Sequence, residues 1–208
     1  MQIKFDSAVI VLLSDSHNPN APLVEWLRNK KIVNEFPQNL ICTPGFSTIK
    51  FDKFFVLIDT TKLEVVTQNC DDKNILRTLP SVVKCYIENQ PALPYKAMGF
   101  NFLFRALYPE KNKVPNINIS ISTVSNLSEI FPAHRLDYGG IIHATTNSYI
   151  LNLLIDVKNE PFIVFSFNYH YNLSGQSIDK VLEYLNSFEQ MVVFSEEIVQ
   201  KIGGNNGS

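Results

Sequence analysis

Hydrophobic residues follow two different periods along this chain, and the changes between the periods divide it into elements. Residues 8–13 form a continuous apolar run rich in β-branched side chains, which predicts a strand covered on both faces. Apolar residues near helical spacing come next. They predict a helix over 21–31, with Asn20 as its N-cap and Pro22 inside its first turn.

Between residues 39 and 69 the period becomes two, and the composition turns to the residue types that favour strands. The predicted strands cover 40–42, 46–51, 54–59 and 63–68, with a hairpin turn at 60–62. Apolar residues then recur on one helical face from 75 to 87. Pro80 lies inside that segment and costs stability unless the helix bends or begins there. Residues 89–94 are the best internal boundary.

The second half begins with a predicted strand over 97–107, and residues 117–121 alternate as a half-exposed strand does. Two further strands are predicted to join near 145–148, and another covers 162–169. One closing amphipathic helix follows, with its apolar residues between 178 and 192. The glycine-rich tail at 203–208 is expected to be disordered.

Two segments resemble copies of one unit, because Leu57-Ile58-Asp59 recurs as Leu154-Ile155-Asp156 with a similar sequel. The proposed superposition places 63–68 on 162–167, and Ile75, Leu79 and Val82 on Ile178, Leu182 and Leu185. We therefore predict an α+β fold of two similar sheet-plus-helix halves, 1–90 and 91–202, packed as one compact unit. The alternative is an unrepeated α+β domain, since residues 111–116 lack the helix found in the first half.

Composition narrows the classes of protein that this chain can represent. A formal net charge of −2, without a dense Lys/Arg block, argues against nucleic-acid binding by phosphate neutralisation. Three widely spaced cysteines cannot build a disulfide framework or a CxxC site. The N-terminus lacks a targeting segment, and no apolar run is long enough to cross a bilayer, so we expect a cytoplasmic protein with no membrane contact.

A candidate metal motif follows the first strand, where Asp15 and His17 are spaced like the first two ligands of metallophosphoesterases. The remaining histidines, His134, His143 and His170, lack the contexts that complete such a two-metal centre. We therefore predict no metal site and no cofactor, and keep Asp15 and His17 as the only candidate metal ligands. The competing interpretation treats Asp15, Ser16 and Asn18 as turn and helix-entry residues.

Residues 167–171 end the last predicted strand with a polar pair. By strand alternation Asn168 and His170 share one face, with Tyr169 and Tyr171 on the other. This arrangement is compatible with a ligand site or with a structural hydrogen-bond cluster. We take Asn168, His170 and Tyr171 as binding candidates. No serine or cysteine in a nucleophile-elbow context accompanies them.

A second polar pair lies on the strand predicted over 97–107. Asn101 and Arg105 share a face opposite three phenylalanines, and an amide with a guanidinium can hold an anion or a partner's carboxylate. The alternative is that Arg105 pairs inside the protein, with Asp59, Asp137 or Asp156 as its partner.

Three short segments together resemble a family of uncharacterised bacterial proteins of about this length. The resemblance rests on residues 16–19 leading into Trp26-Leu27, on residues 94–101 (Pro-Tyr-x-Ala-x-Gly-x-Asn) and on residues 167–171 (Asn-x-His-Tyr). It implies a stand-alone cytoplasmic protein with one continuous fold, and it leaves the activity open.

These patterns favour a non-catalytic protein that binds a protein partner or forms a homo-oligomer. The alternative is a small-molecule binding or hydrolytic protein with a pocket around Asn101, Arg105, Asn168 and His170. A third hypothesis, nucleic-acid binding across a saddle of joined sheets, predicts a basic concave face.

Overall fold

One antiparallel sheet organises the chain. The computed structural model describes residues 1–114, 140–157 and 160–204. Its strands, in chain order, are β1 (Gln2–Ser14), β2 (Asn39–Cys42), β3 (Phe46–Lys50), β4 (Phe55–Asp59), β5 (Lys62–Thr67), β6 (Tyr95–Leu107), β7 (Gly140–Thr145), β8 (Ile150–Val157) and β9 (Phe162–Asn172). Its helices are α1 (Leu23–Asn29), α2 (Lys73–Asn89), α3 (Ile178–Asn186) and α4 (Phe188–Gly204), with a 3₁₀ turn at Lys111–Lys113.

The strand order across the sheet is β2-β3-β4-β5-β1-β6-β9-β8-β7. The two longest strands, β1 and β6, lie side by side in the middle and pair from Gln2 with Leu107 to Ser14 with Tyr95. A β-bulge between Phe5 and Ser7 interrupts their register. The fold is therefore α+β, and both halves of the chain contribute to one continuous sheet.

Strand alternation gives the sheet two different faces. On β6, Phe100, Phe102 and Phe104 are buried, while the residues between them are half-buried on the opposite face. Phe188, the first residue of α4, packs edge-on against Phe100 and Phe102, with ring centroids 5.2 and 5.4 Å apart. The core therefore lies between this face and the helices.

Helix α2 agrees with the predicted apolar face and passes through Pro80 without ending. The Asp72 side chain caps its first turn by accepting from the amide of Asn74. Proline lacks the N–H that this position would donate to the carbonyl of Leu76. The buried residues of α2, which include Leu79 and Tyr86, offset that loss by packing on the sheet.

Helix α1 is shorter than predicted, at Leu23–Asn29, and the expected capping role of Asn20 was wrong. Pro22 occupies the N-cap position, and the Asn18 side chain accepts from the amide of Asn20 in the preceding turn. The helix ends because Lys31 adopts a left-handed conformation, with φ of 56°. That turn lets the amides of Lys31 and Ile32 bond the carbonyls of Arg28 and Leu27.

The predicted single closing helix was also wrong, because Ser187 separates α3 from α4. The Ser187 hydroxyl donates to the Tyr184 carbonyl at 2.7 Å, and this local bond competes with continuation of the helix. The periodicity of the apolar residues continues across the break, and this explains why one helix was expected.

The expected disorder at 203–208 does not extend to Gly203 and Gly204, which end helix α4. The Tyr108 hydroxyl donates to the Gly203 carbonyl at 2.7 Å, and a Cβ at Gly203 would stand 2.8 Å from the Met1 sulfur. A Cβ at Gly203 would also stand 3.1 Å from the Tyr108 hydroxyl and 3.2 Å from the Ala106 Cβ, so close packing favours glycine there and the residue does not indicate a flexible tail. Residues 205–208 and the strand predicted over 117–121 lie outside the described residues.

Candidate functional site

The face of the sheet opposite the helices carries a row of polar side chains across its second half. Asn101 on β6 pairs in register with Asn168 on β9, Asn168 pairs with Asn152 on β8, and Asn152 pairs with His143 on β7. Directly opposed residues of an antiparallel sheet hold their side chains close together. These four residues, called the ladder below, therefore form one line perpendicular to the strands.

Hydrogen bonds connect each member of the ladder to the next. Asn168 Nδ2 donates to Asn101 Oδ1 at 2.6 Å, and Asn152 Nδ2 donates to Asn168 Oδ1 at 3.3 Å. His143 Nδ1 lies 2.6 Å from Asn152 Oδ1. An amide oxygen only accepts, so Nδ1 of His143 carries the proton, and its Nε2 is the acceptor of the neutral ring.

The ladder crosses an open depression with a volume of about 380 Å³. Apolar side chains border it, among them Val9, Leu103, Ile141 and Leu154. Ile141 and Leu154 are 62% and 44% exposed, which is high for neighbouring aliphatic residues. Convergent polar groups within an apolar border are typical of a binding site.

Two of the residues predicted from the sequence, Asn101 and Asn168, belong to the ladder and bond each other directly. His170 lies on the same face as Asn168, is exposed and pairs in register with Gly99, outside the depression. The structure therefore brings together only part of the expected group.

Arg105 also faces this side of the sheet, but it does not line the depression. Its guanidinium binds both carboxylate oxygens of Asp6, with Nη2 donating to Oδ1 at 2.6 Å. The hydrogen bond from Arg105 lowers the pKa of Asp6 below its usual value. Arg105 thus pairs inside the protein, as one alternative held, although its partner is a residue that was not foreseen.

Of the three aspartates named as partners for Arg105, Asp59 has a different role. The Asp59 carboxylate accepts from the amides of Thr61 and Lys62 at 2.7 and 2.9 Å, and so closes its own hairpin turn. Asp156 has an interaction of its own within the protein. Asp137 lies outside the described residues.

Tyr171 is not part of the candidate site. It is buried on the helical face, where its hydroxyl lies 3.2 Å from the Ser187 hydroxyl. Burial raises the pKa of Tyr171 to about 12. Strand alternation explains its position, since Tyr171 and His170 must face opposite sides.

His143 and Asn152 are the members of the ladder that sequence reasoning missed. The hairpin predicted near 145–148 could have indicated this pair, because β7 and β8 pair across that turn and bring His143 opposite Asn152. Finding the pair required the register of the hairpin, and a turn alone allows several registers.

The candidate metal ligands Asp15 and His17 do not form a site. His17 is only 3% exposed; its Nε2 donates to the Leu12 carbonyl, and its Nδ1 accepts from the Tyr86 hydroxyl, both at 3.0 Å. Asp15 is exposed and forms an ion pair with Lys96. No group of three or more metal-ligating side chains occurs within the described part of the chain.

No protein-family model matches the chain, and no curated protein matches it in sequence. The resemblance to a bacterial family stays a prediction. Among the described residues, no helix combines the length and the apolar character needed to span a membrane.

We predict that His17 makes the fold less stable in acid. Burial lowers the pKa of His17 below the 6.5 of an unperturbed histidine. As the pH falls below 6.5, the unfolded chain takes up a proton that the folded chain does not, so the free energy of unfolding decreases. The slope contributed by this one proton is at most about 1.4 kcal/mol per pH unit.

Urea denaturation of the wild type and of His17→Leu, above and below pH 6.5, measures this change in the free energy of unfolding. The substitution costs about 1–3 kcal/mol near neutrality, because it leaves the Leu12 carbonyl and the Tyr86 hydroxyl without their partner. It also removes the histidine part of the pH dependence. His170→Leu, at an exposed position, is the control and should keep the pH dependence that His17 contributes. Equal pH dependence in wild type and His17→Leu would contradict the assignment.

Proposed function

We propose that this protein is a non-catalytic binding protein whose protein partner docks on the ladder face of the sheet. The observation that carries the proposal is the combination of an exposed aliphatic border, formed by Ile141 and Leu154, with a line of amide groups between apolar walls. Protein interfaces combine buried apolar contacts with hydrogen bonds that set orientation. The depression is open along the sheet, which suits a partner surface better than an enclosed small molecule.

The proposal assigns no chemical step to this face. His143 bonds an amide oxygen of Asn152, whereas nucleophilic catalysis requires a histidine in contact with a hydroxyl or thiol. The three cysteines lie away from the ladder, with Cys42 on strand β2, Cys70 just before α2 and Cys85 within α2.

The charges around the depression favour a protein over a nucleic acid. Among the described residues that line it, none is a lysine or arginine. Binding of nucleic acid across this face would require cations that neutralise phosphates. The small-molecule alternative uses the same amides, but Arg105 is engaged by Asp6 and His170 stands outside the depression.

Site-specific photocrosslinking tests the docking face. Benzoylphenylalanine is placed at Leu154, which borders the ladder, or at Val193 of α4, which is 56% exposed on the helical side. In a lysate of the organism that encodes the chain, the Leu154 probe should give a discrete adduct, identified by mass spectrometry, and the Val193 probe should not. An adduct with a second copy of the chain identifies a homo-oligomer.

Competition makes the crosslinking specific to the ladder. An excess of unlabelled wild-type protein should suppress the Leu154 adduct, while the same excess of Asn168→Ala suppresses it at least about tenfold less effectively, as expected for loss of a central hydrogen-bonding group. No adduct at Leu154, or the same adduct from Val193, contradicts the proposal.

We also propose that the two halves of the sheet derive from one duplicated unit. Strands β5, β4 and β3 follow one another outward from β1, as β9, β8 and β7 do from β6. Each series is joined antiparallel, and each is followed along the chain by a helix on the core face. This shared order supports the duplication.

The pairing favours a different register from the one expected. Ile58 pairs with Leu63, and Ile155 pairs with Phe165, so matching Ile58 to Ile155 also matches Leu63 to Phe165. The expected match of Leu63 to Phe162 would superpose the buried Leu63 on Phe162, which is half-buried and faces the opposite side of the sheet. Superposition of the two strand series in an experimental structure should reproduce the register found by pairing. A superposition with no common register would contradict the duplication.

A further inference from the structure

The ladder has hydrogen-bonding capacity that the described residues leave unused. Asn168 and Asn152 each have two amide protons and two oxygen lone pairs, and each donates one proton and accepts one bond within the ladder. Asn101 accepts from Asn168, and its own Nδ2 donates to no group among the described residues. Within the described part of the chain, both donors and acceptors therefore stay available on the open side.

The two ends of the ladder have opposite hydrogen-bonding character. The Asn101 end has the unused Nδ2 donor, and the His143 end has Nε2, which is an acceptor in the neutral ring. A group that binds along this line must offer an acceptor at one end and a donor at the other. Peptide groups carry both, one N–H and one C=O per residue.

The backbone beside the ladder leaves room for a ligand to approach. Gly99 precedes Asn101 on the same face of β6, and a Cβ at this position would stand 3.9 Å from the Nδ2 atoms of both Asn101 and Asn168. That distance is ordinary van der Waals contact, so the fold itself tolerates a side chain there. A larger side chain would instead cover the two amide nitrogens.

The dimensions of the ladder fit an extended chain. Adjacent strands lie about 4.8 Å apart, so the three gaps between β6, β9, β8 and β7 span roughly 14 Å. An extended peptide advances about 3.4 Å per residue, so roughly four residues cover this distance. Because none of the described residues lining the depression is an aspartate, glutamate, lysine or arginine, that part of the chain offers a charged ligand no counter-charge there.

We propose that the ladder recognises the main-chain amides of an uncharged, extended segment of the partner, laid across β6, β9, β8 and β7. The apolar residues Leu103 and Leu154 flank that segment and contact its small aliphatic side chains. This inference rests on the proposed function and specifies the chemistry of the same site.

Side-chain NMR tests this chemistry directly with a defined probe. Acetylated and amidated tetraalanine, which is uncharged, is titrated into the full chain labelled with ¹⁵N. The NH₂ resonances of Asn101, Asn152 and Asn168 should shift together and saturate with a single dissociation constant. Acetate and methylammonium, the charged probes, should leave them unmoved, and so should uridine, which represents an uncharged planar base.

Two variants separate recognition from folding. Asn168→Ala removes the centre of the ladder. It should raise the dissociation constant for the tetraalanine probe by at least about tenfold, which corresponds to about 1.4 kcal/mol of binding free energy. Gly99→Val keeps every side-chain amide of the ladder but covers two of them. It should weaken tetraalanine binding as much as Asn168→Ala does, while the NH₂ resonances of the ladder asparagines stay present. Asn39→Ala, an exposed asparagine on the far edge strand β2, is the matched control and should bind as the wild type does.

The outcomes distinguish this inference from the proposed function. If the Leu154 crosslink forms but the capped tetraalanine shifts none of the three NH₂ pairs, the docking face stands and the amide chemistry is wrong. If uridine or acetate shifts these NH₂ resonances and tetraalanine does not, the proposed class of ligand is wrong. If tetraalanine binds but no crosslink forms, the amide chemistry stands and the proposed function fails.

Discussion

The pairing of β1 with β6 is the interaction on which the rest of the structure depends. Each strand has 13 residues, and the two pair along nearly their whole length in the middle of the sheet. Every other strand of the described residues is reached outward from one of these two, β5 to β2 on one side and β9 to β7 on the other. Their inner faces, with Ile10 and Phe100 fully buried, also form the surface on which the helices pack. Loss of this pairing would therefore divide the sheet in two and, at the same time, expose the core.

The candidate site depends on the same central strands through strand alternation. Phe100 and Phe102 fix β6 to helix α4, and Asn101 between them must then face the opposite side. On β9, Phe167 and Tyr169 are buried in the same way and direct Asn168 outward, where it bonds Asn101. The aromatic core thus positions the ladder, and a one-residue change of register would exchange core and site.

The strands and the main helices were predictable because their signals are local. Period-two alternation located most of the strands, and one apolar face located α2 through Pro80. The features that were missed depend on pairing or on close packing. The partner of Arg105 is brought to it by a bulge at Asp6, His143 reaches Asn152 through the register of a hairpin, and Gly203 lies in a helix because Tyr108 packs against it. Half of the ladder, Asn101 and Asn168, was predictable because alternation alone places polar residues opposite a phenylalanine face.

Native-state hydrogen exchange of the full chain tests the central role of the β1–β6 pairing most directly. We predict that the backbone amides shared between these strands, around Val9 and Asn101, exchange last and at one common free energy that equals that of global unfolding. The edge strand β2, whose residues are exposed, should exchange much earlier. Early opening of the β1–β6 amides, with residues 1–89 and 95–204 each retaining protection as separate units, would contradict it.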